Sequence, residues 1–210
     1  TNGYNVAVGY SAGDHITTGT QNTILGSQAG DALTDADDNV ALGYLALTSD
    51  VLGNKTTALG RGALGSQNFT TATDSHNTAV GYFAGQQITT GTFNSFTGSL
   101  AGDALTTGSE NVAVGYAALS SDTLGSRSVA IGLGALNEQN FTTATDANNV
   151  AIGYAAGNKV STGTNNTVIG GISGDALTTG NNNTALGYQS LSSDTKGDRA
   201  VAIGLGALSA

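Results

Sequence analysis

The residues of this 210-residue chain whose types and spacing could do chemistry form a few patterns. Gly9-Tyr10-Ser11-Ala12-Gly13 matches the G-x-S-x-G elbow that presents a serine for acyl transfer, and Gly60-Arg61-Gly62-Ala63-Leu64-Gly65 matches the G-x-G-x-x-G of phosphate-binding turns. The elbow needs a strand running into a helix, with a His and an acid converging on the serine. The glycine turn needs a helix N-terminus to hold the phosphate. Neither context follows here, and the rungs equivalent to Ser11 carry Phe83 and Ala155. His15 and His76 have Gln87 and Asn148 as their counterparts 72 residues on, which reads as two solvated residues. Asp31, Asp103 and Asp175 recur at one linker position and offer a weak cation site. Asp35, Asp37 and Asp38 occur together once, and the glycine-rich calcium repeat is absent. No paired-carboxylate site emerges. With no Cys there is no thiolate nucleophile, no thiolate metal site and no disulfide framework. The expectation is a chain without catalysis, cofactor or metal.

What holds these residues is a repeat, the feature to seek before any local assignment. A nine-residue block of the form N-[VT]-A-[VLI]-G-Y-x-A-[GL] starts at Asn5, Asn22, Asn39, Thr56, Asn77, Asn94, Asn111, Ser128, Asn149, Asn166, Asn183 and Ala200. The spacing between starts cycles 17, 17, 17 and 21, a 72-residue superrepeat. The chain reads as one repetitive segment, 1–210, with superrepeats at about 5–76, 77–148 and 149–210. Thr1–Tyr4 match the last four residues of the long linkers that end at His76 and Asn148, so the array is expected to continue, or copies to meet head to tail.

Composition agrees with a restricted alphabet. There are 32 Gly and no Pro, Met or Trp, and 6 Lys+Arg stand against 15 Asp+Glu for a net charge of −9. That balance argues against an electrostatic nucleic-acid binder. Charged residues are 10% of the chain, below the roughly 25% of an ordinary domain. No apolar run approaches the ~18 residues of a membrane span, and no basic-then-apolar leader opens the chain, so no membrane insertion by this segment is expected.

Each block alternates for three or four residues and then meets a glycine: Gly9, Gly26, Gly43, Gly60, Gly81, Gly98, Gly115, Gly132, Gly153, Gly170, Gly187 and Gly204. A short strand closed by a turn of positive φ or close backbone approach suits that spacing. The fourth position is large and aliphatic in eleven of twelve blocks (Thr97 is the exception), and is expected to be the core. The third, mostly Ala, then points to the opposite face, which is expected to meet another chain. The linkers are expected to add a second strand and a second turn, making one rung of a parallel β-solenoid or β-roll. Asn first in nine blocks predicts a buried ladder of amides.

Ser128-Val129-Ala130-Ile131-Gly132, Asn149-Val150-Ala151-Ile152-Gly153 and Val201-Ala202-Ile203-Gly204 resemble the YadA-like head repeat of trimeric autotransporter adhesins. The stretch NNTALGYQSL at Asn182–Leu191 is similar to repeats in tail fibres of phages, marine ones especially. The resemblance covers the whole chain, although the 17- and 21-residue units here are longer than the adhesin repeat. It implies a left-handed parallel β-roll, three chains side by side, in an adhesive or structural fibre.

Two features carry functional expectations. The twelve-residue linkers Gly65–His76 and Asn137–Asn148 should bulge outward and display Phe69, Thr70, Thr71, Phe141, Thr142 and Thr143, for glycan stacking or a neighbouring fibre, unless each Phe folds back on its own roll. The sixth block position alternates Tyr10, Tyr44, Tyr82, Tyr116, Tyr154 and Tyr188 with Ser27, Arg61, Ser99, Leu133, Gly171 and Leu205, as interdigitating neighbours require, and is expected to be a subunit-contact column. The expected function is the shaft or head of an extracellular fibre on a cell surface or virion. Its expected partners are itself, as homotrimer or filament, and a cell-surface glycan or protein receptor. A head-to-tail filament subunit is the alternative. Ice binding ranks lower, resting on the partial column Thr17, Thr34, Thr89, Thr106, Thr123, Thr178 and Thr195.

Overall fold

A block whose alternation is stopped by glycine after four residues has room for one short strand, and the computed structural model, which describes residues 3–209, folds every block that way. Twelve three-residue strands, from Val6–Val8 to Val201–Ile203, occupy the second to fourth positions of the blocks. They form one parallel sheet in which each strand pairs with those of the neighbouring blocks. Register is kept position by position: Val129, Ala130 and Ile131 lie opposite Val112, Ala113 and Val114 on one side and Val150, Ala151 and Ile152 on the other. Parallel neighbours require a long return connection. The linkers provide it, so the chain winds as a β-solenoid of twelve rungs. At ~4.8 Å per strand the sheet is about 53 Å long. The described residues contain no helix, and hence none long and apolar enough to cross a membrane. Thr1, Asn2 and Ala210, on which the match between the chain ends partly rests, lie outside the described residues.

The linkers do not form a regular second strand. Among the described residues, strand pairing outside the main sheet is confined to Gly53–Asn54 with Thr73–Asp74 and Gly125–Ser126 with Thr145–Asp146, both involving the long linkers. The other linkers bond to the next rung without forming a ladder. The N–H groups of Thr17, Thr18 and Gly19 all converge on the carbonyl of Thr34, at 3.0, 3.4 and 3.2 Å.

The sheet's two faces are the reverse of the expectation. The third-position residues Ala41, Ala58, Ala79, Ala113, Ala130 and Ala151, and the Ile24, Phe96 and Val168 that replace Ala in this column, point inward and are buried. The fourth position points out: Leu25, Leu42, Val114, Leu186 and Ile203 are 45%, 37%, 36%, 45% and 64% exposed. The lumen is too narrow for an aliphatic side chain from the strand in every rung, because the turns already fill it. Where the ninth block position is Gly, the third linker position supplies the filling, as Ile16, Leu33, Ile88, Leu105, Val160 and Leu177. Where the ninth is Leu47, Leu64, Leu119, Leu136 or Leu191, the linker position is Asp50, Gln67, Asp122, Gln139 or Asp194. One aliphatic residue per rung is thereby conserved, though its donor changes. The exchange has a backbone cost, since Leu47, Leu64, Leu119, Leu136 and Leu191 have φ of 52°, 49°, 54°, 48° and 55°. A left-handed conformation costs about 1–2 kcal/mol in an L-residue, and full burial of a Leu side chain contributes about 1.5–3 kcal/mol, so burial offsets it.

The Asn column is a ladder, but mostly of side chain to backbone rather than amide to amide. In each bonded rung the Asn Oδ1 accepts the N–H that opens the next block, as Asn77 does from Asn94 (2.9 Å) and Asn94 from Asn111 (3.0 Å). Its Nδ2 donates to the linker carbonyl of its own turn, as Asn94 does to Gly108 (2.9 Å). Thr56 and Ser128 interrupt the ladder just before the long linkers, and Gln67 and Gln139 replace the missing amide. Gln67 Nε2 donates to Asp50 Oδ2 at 2.6 Å and to Thr56 Oγ1 at 3.0 Å, while its Oε1 accepts from Asn77 Nδ2 at 2.9 Å. Gln139 does the same between Asp122, Ser128 and Asn149.

Candidate interaction surfaces

The outward side of the twelve-stranded sheet runs along all twelve rungs. Its second-position column (Val6, Thr23, Val40, Thr57, Thr78, Ser95, Val112, Val129, Val150, Thr167, Thr184, Val201) and its fourth-position column carry no charge. Of the 6 Lys+Arg and 15 Asp+Glu, Arg61 alone lies inside a block, and every acidic residue lies in a linker. The solenoid thus segregates its charge onto the returning turns and leaves the sheet side uncharged, with an aliphatic fourth-position column broken only by Thr97 and a second-position column of Val, Thr and Ser. With a length of about 53 Å and a width of about 10–15 Å, that side has a footprint on the order of 500–800 Å². The largest apolar patch of a typical monomer is about 300–600 Å².

The Tyr column stands at the margin of this surface, one residue past the glycine bend. Tyr10, Tyr44, Tyr82, Tyr116, Tyr154 and Tyr188 are 77%, 45%, 46%, 55%, 63% and 52% exposed. The bend holds its glycine for two reasons. Gly98 has φ +134°, and a Cβ there would stand 2.5 Å from the carbonyl oxygen of Gly115 in the next rung. Gly204, with no described rung above it, would meet nothing within 4 Å.

The long linkers do not display their aromatic residues. Phe69 and Phe141 are each 5% exposed, which corrects the expectation of protruding rings. Their backbone is drawn in by buried carboxylates: Asp50 Oδ1 accepts the Phe69 N–H at 3.0 Å, and Asp122 Oδ1 accepts that of Phe141 at 3.1 Å. Gly125 leaves the space that the Phe141 ring takes, since a Cβ there would lie 2.9 Å from it. Thr70, Thr71, Thr142 and Thr143 do remain exposed at the loop tips. Burial pushes the Asp50 carboxyl above the usual carboxylate range, against the lowering effect of the hydrogen bonds from Phe69, Gln67 and Gly53. Ion pairs tie the loops to neighbouring rungs at the surface. Lys55 pairs with Asp74, and Arg127 with Glu110 at 3.2 Å and Asp146 at 2.5 Å. The hydrogen bond from Lys55 lowers the Asp74 carboxyl, and Glu110 is the main cause that raises Arg127.

The motif-bearing residues are not brought together. Ser11 sits in a turn at φ 50°, and His15 Nδ1 lies 2.6 Å from the Asp31 carbonyl in the next linker. Gly60–Gly65 is the repeat's own turn, with no helix after it. His76 stacks on Phe93 with ring centroids 5.0 Å apart. Asp31 Oδ1 accepts from the Thr48 hydroxyl at 2.7 Å. Asp103 and Asp175 each bury one carboxylate oxygen without a partner, and desolvation raises both carboxyls. No group of three or more His, Cys, Asp or Glu side chains converges among the described residues. The Thr column is committed to the solenoid itself, as Thr17, Thr34, Thr89, Thr106 and Thr178 donate their hydroxyls to the next rung's carbonyl at 3.2, 3.2, 3.2, 2.9 and 2.8 Å. Two features had a sequence signal that went unread. One is the exchange of aliphatic residues between turn positions. The other is the pairing of Arg61, the one charge inside a block, with Phe83, the one aromatic residue at the variable seventh position. No family model, characterised protein or solved structure matches this chain.

Proposed function

We propose that this chain is the shaft or head segment of an extracellular adhesive fibre and works mechanically rather than catalytically. Copies associate side by side, three in the reading the adhesin-like repeats favour. The observation that carries the proposal is the uncovered, charge-free sheet side. Its fourth-position column is aliphatic but for Thr97 and its whole surface lacks Lys, Asp and Glu, as an interface core does, and its footprint approaches the ~800 Å² per partner of a stable contact. A second copy is the occupant that fits best, because the face presents one periodic surface that the same face elsewhere can match rung for rung. Each rung is bonded to the next, so length and stiffness grow by adding rungs, and the exposed Thr tips recur every four rungs.

Sedimentation equilibrium on the isolated chain tests this. A discrete trimer is expected for the wild type, and a monomer of unchanged far-UV circular dichroism for the triple variant Ile131→Glu, Ile152→Glu, Ile169→Glu. A wild type that stays monomeric at tens of micromolar would overturn the proposal, as would a triple variant that still assembles.

A further inference from the structure

Arg61 breaks the rules of its own surface. It is the only charged residue in any block, and its equivalents one and two superrepeats on are Leu133 and Leu205. Its guanidinium carbon lies 5.6 Å from the Tyr44 ring centroid, 5.7 Å from that of Tyr82 and 5.6 Å from that of Phe83. Phe83 stands at the variable seventh block position, where the equivalent rungs carry Ser11 and Ala155. Its ring lies over Gly62, where a Cβ would stand 2.4 Å from it. The one charge inside a block therefore sits between two members of the Tyr column, beside the one aromatic residue of the seventh position. Among the described residues Arg61 has no carboxylate within ion-pair distance, and its guanidinium makes no hydrogen bond. A guanidinium has five N–H donors in a planar fork that matches a carboxylate, so this side chain keeps its full hydrogen-bonding capacity while the three rings restrain it.

We propose that Arg61, with Tyr44, Tyr82 and Phe83, is a binding site for a carboxylated saccharide. The guanidinium takes the carboxylate of a uronic-acid type of sugar in a two-point contact. The rings offer apolar faces to the C–H faces of the sugar. Tyr44 and Tyr82 remain about half exposed and stand two rungs apart, about 9.6 Å at ~4.8 Å per rung, with the Arg61 guanidinium against both rings, so a pyranose would lie over the guanidinium and the exposed parts of the rings, on an open surface. A neutral sugar leaves the fork unpaired, and a small carboxylate leaves the rings unused, so the site asks for both parts in one molecule. Every acidic residue lies in a linker and none pairs with Arg61. The site goes beyond the fibre reading and does not need the chains to associate.

Isothermal titration of the full chain with a galacturonic-acid oligosaccharide tests it, alongside the same oligosaccharide methyl-esterified and with acetate. Saturable binding of the acidic oligosaccharide is expected, falling by about tenfold or more on methyl-esterification or with Arg61→Leu. Phe83→Ala should weaken it several-fold, and Arg61→Lys should recover only part of the affinity, since an ammonium cannot form the two-point contact. Both Leu and Ala occupy these positions in other superrepeats, so the variants should fold, and thermal melts check that they do. No binding by the wild type would overturn the site, as would equal binding by Arg61→Leu, or acetate binding as tightly as the oligosaccharide. The triple Glu variant at Ile131, Ile152 and Ile169 leaves these four residues untouched, so assembly and saccharide binding can fail separately.

Discussion

Replacing Asn94 by Ala removes two hydrogen bonds from a site that water does not reach. Asn94 is fully buried in the sixth rung. Its Nδ2 donates to the Gly108 carbonyl at 2.9 Å, and its Oδ1 accepts the Asn111 N–H at 3.0 Å. The truncation leaves that carbonyl and that N–H without partners, and a buried group left unsatisfied costs about 1–3 kcal/mol. Two such groups amount to about 2–6 kcal/mol, a large share of the roughly 5–15 kcal/mol that stabilises an ordinary domain. The expected result in equilibrium urea unfolding, followed by circular dichroism, is a midpoint shifted down by that amount with the slope unchanged. Asn165→Ala is the control, since that side chain is exposed and bonds only to Thr164 and Asn148, at 3.3 and 3.4 Å. Asn165 stands at φ 58°, which Asn tolerates better than Ala, so the effect of its replacement should be about 1 kcal/mol, below that of Asn94→Ala. Asn94→Asp keeps the acceptor, loses the donor and buries a charge, so it should cost no less than Asn94→Ala. If Asn94→Ala unfolds at the same midpoint as Asn165→Ala, the ladder does not hold the rungs together and the reasoning is refuted.

Gly98→Ala should be among the most disruptive single-methyl changes in the chain, because its Cβ would stand 2.5 Å from the Gly115 oxygen, whereas Gly204→Ala faces open space and bears only the strain of φ +116°; thermal melts of the two variants should separate clearly, and equal melting would refute the steric account. Burial raises the Asp50 carboxyl, so the fold favours its protonated form. The stability this group contributes is complete below the ordinary carboxylate range and is lost as pH rises through its raised folded value. Asp50→Asn should therefore flatten that part of the pH–stability curve in urea titrations, and an unchanged pH dependence would refute it.

The twelve-rung winding, the parallel register and the glycine bends were legible from the block spacing alone, since a period of 17 with one short strand and one invariant glycine leaves few ways to stack. The ladder was legible from Asn at the first position, although its partners were not. Nothing in the block says that Asn94 bonds to the backbone of Gly108 and Asn111 rather than to the amides above and below. For the Phe69 and Phe141 rings the sequence leaves display and folding back both open, and folding back is what the structure shows; what draws the rings in is Asp50 and Asp122, one rung away and 19 residues earlier in the chain.

Alternation along a strand establishes that Ala130 and Ile131 point to opposite sides, and does not establish which side is the inside. The larger residue was the natural choice for the core, and the tertiary structure reverses it. The deciding quantity is the width of the lumen, a property of the closed rung and not of the strand. Each turn brings its own aliphatic residue inward, such as Leu136 beneath Ala130, and at close packing the space left over holds a methyl group in most rungs. The Ile, Leu and Val of the fourth position are thereby placed outside, on the face where an interaction partner must be sought.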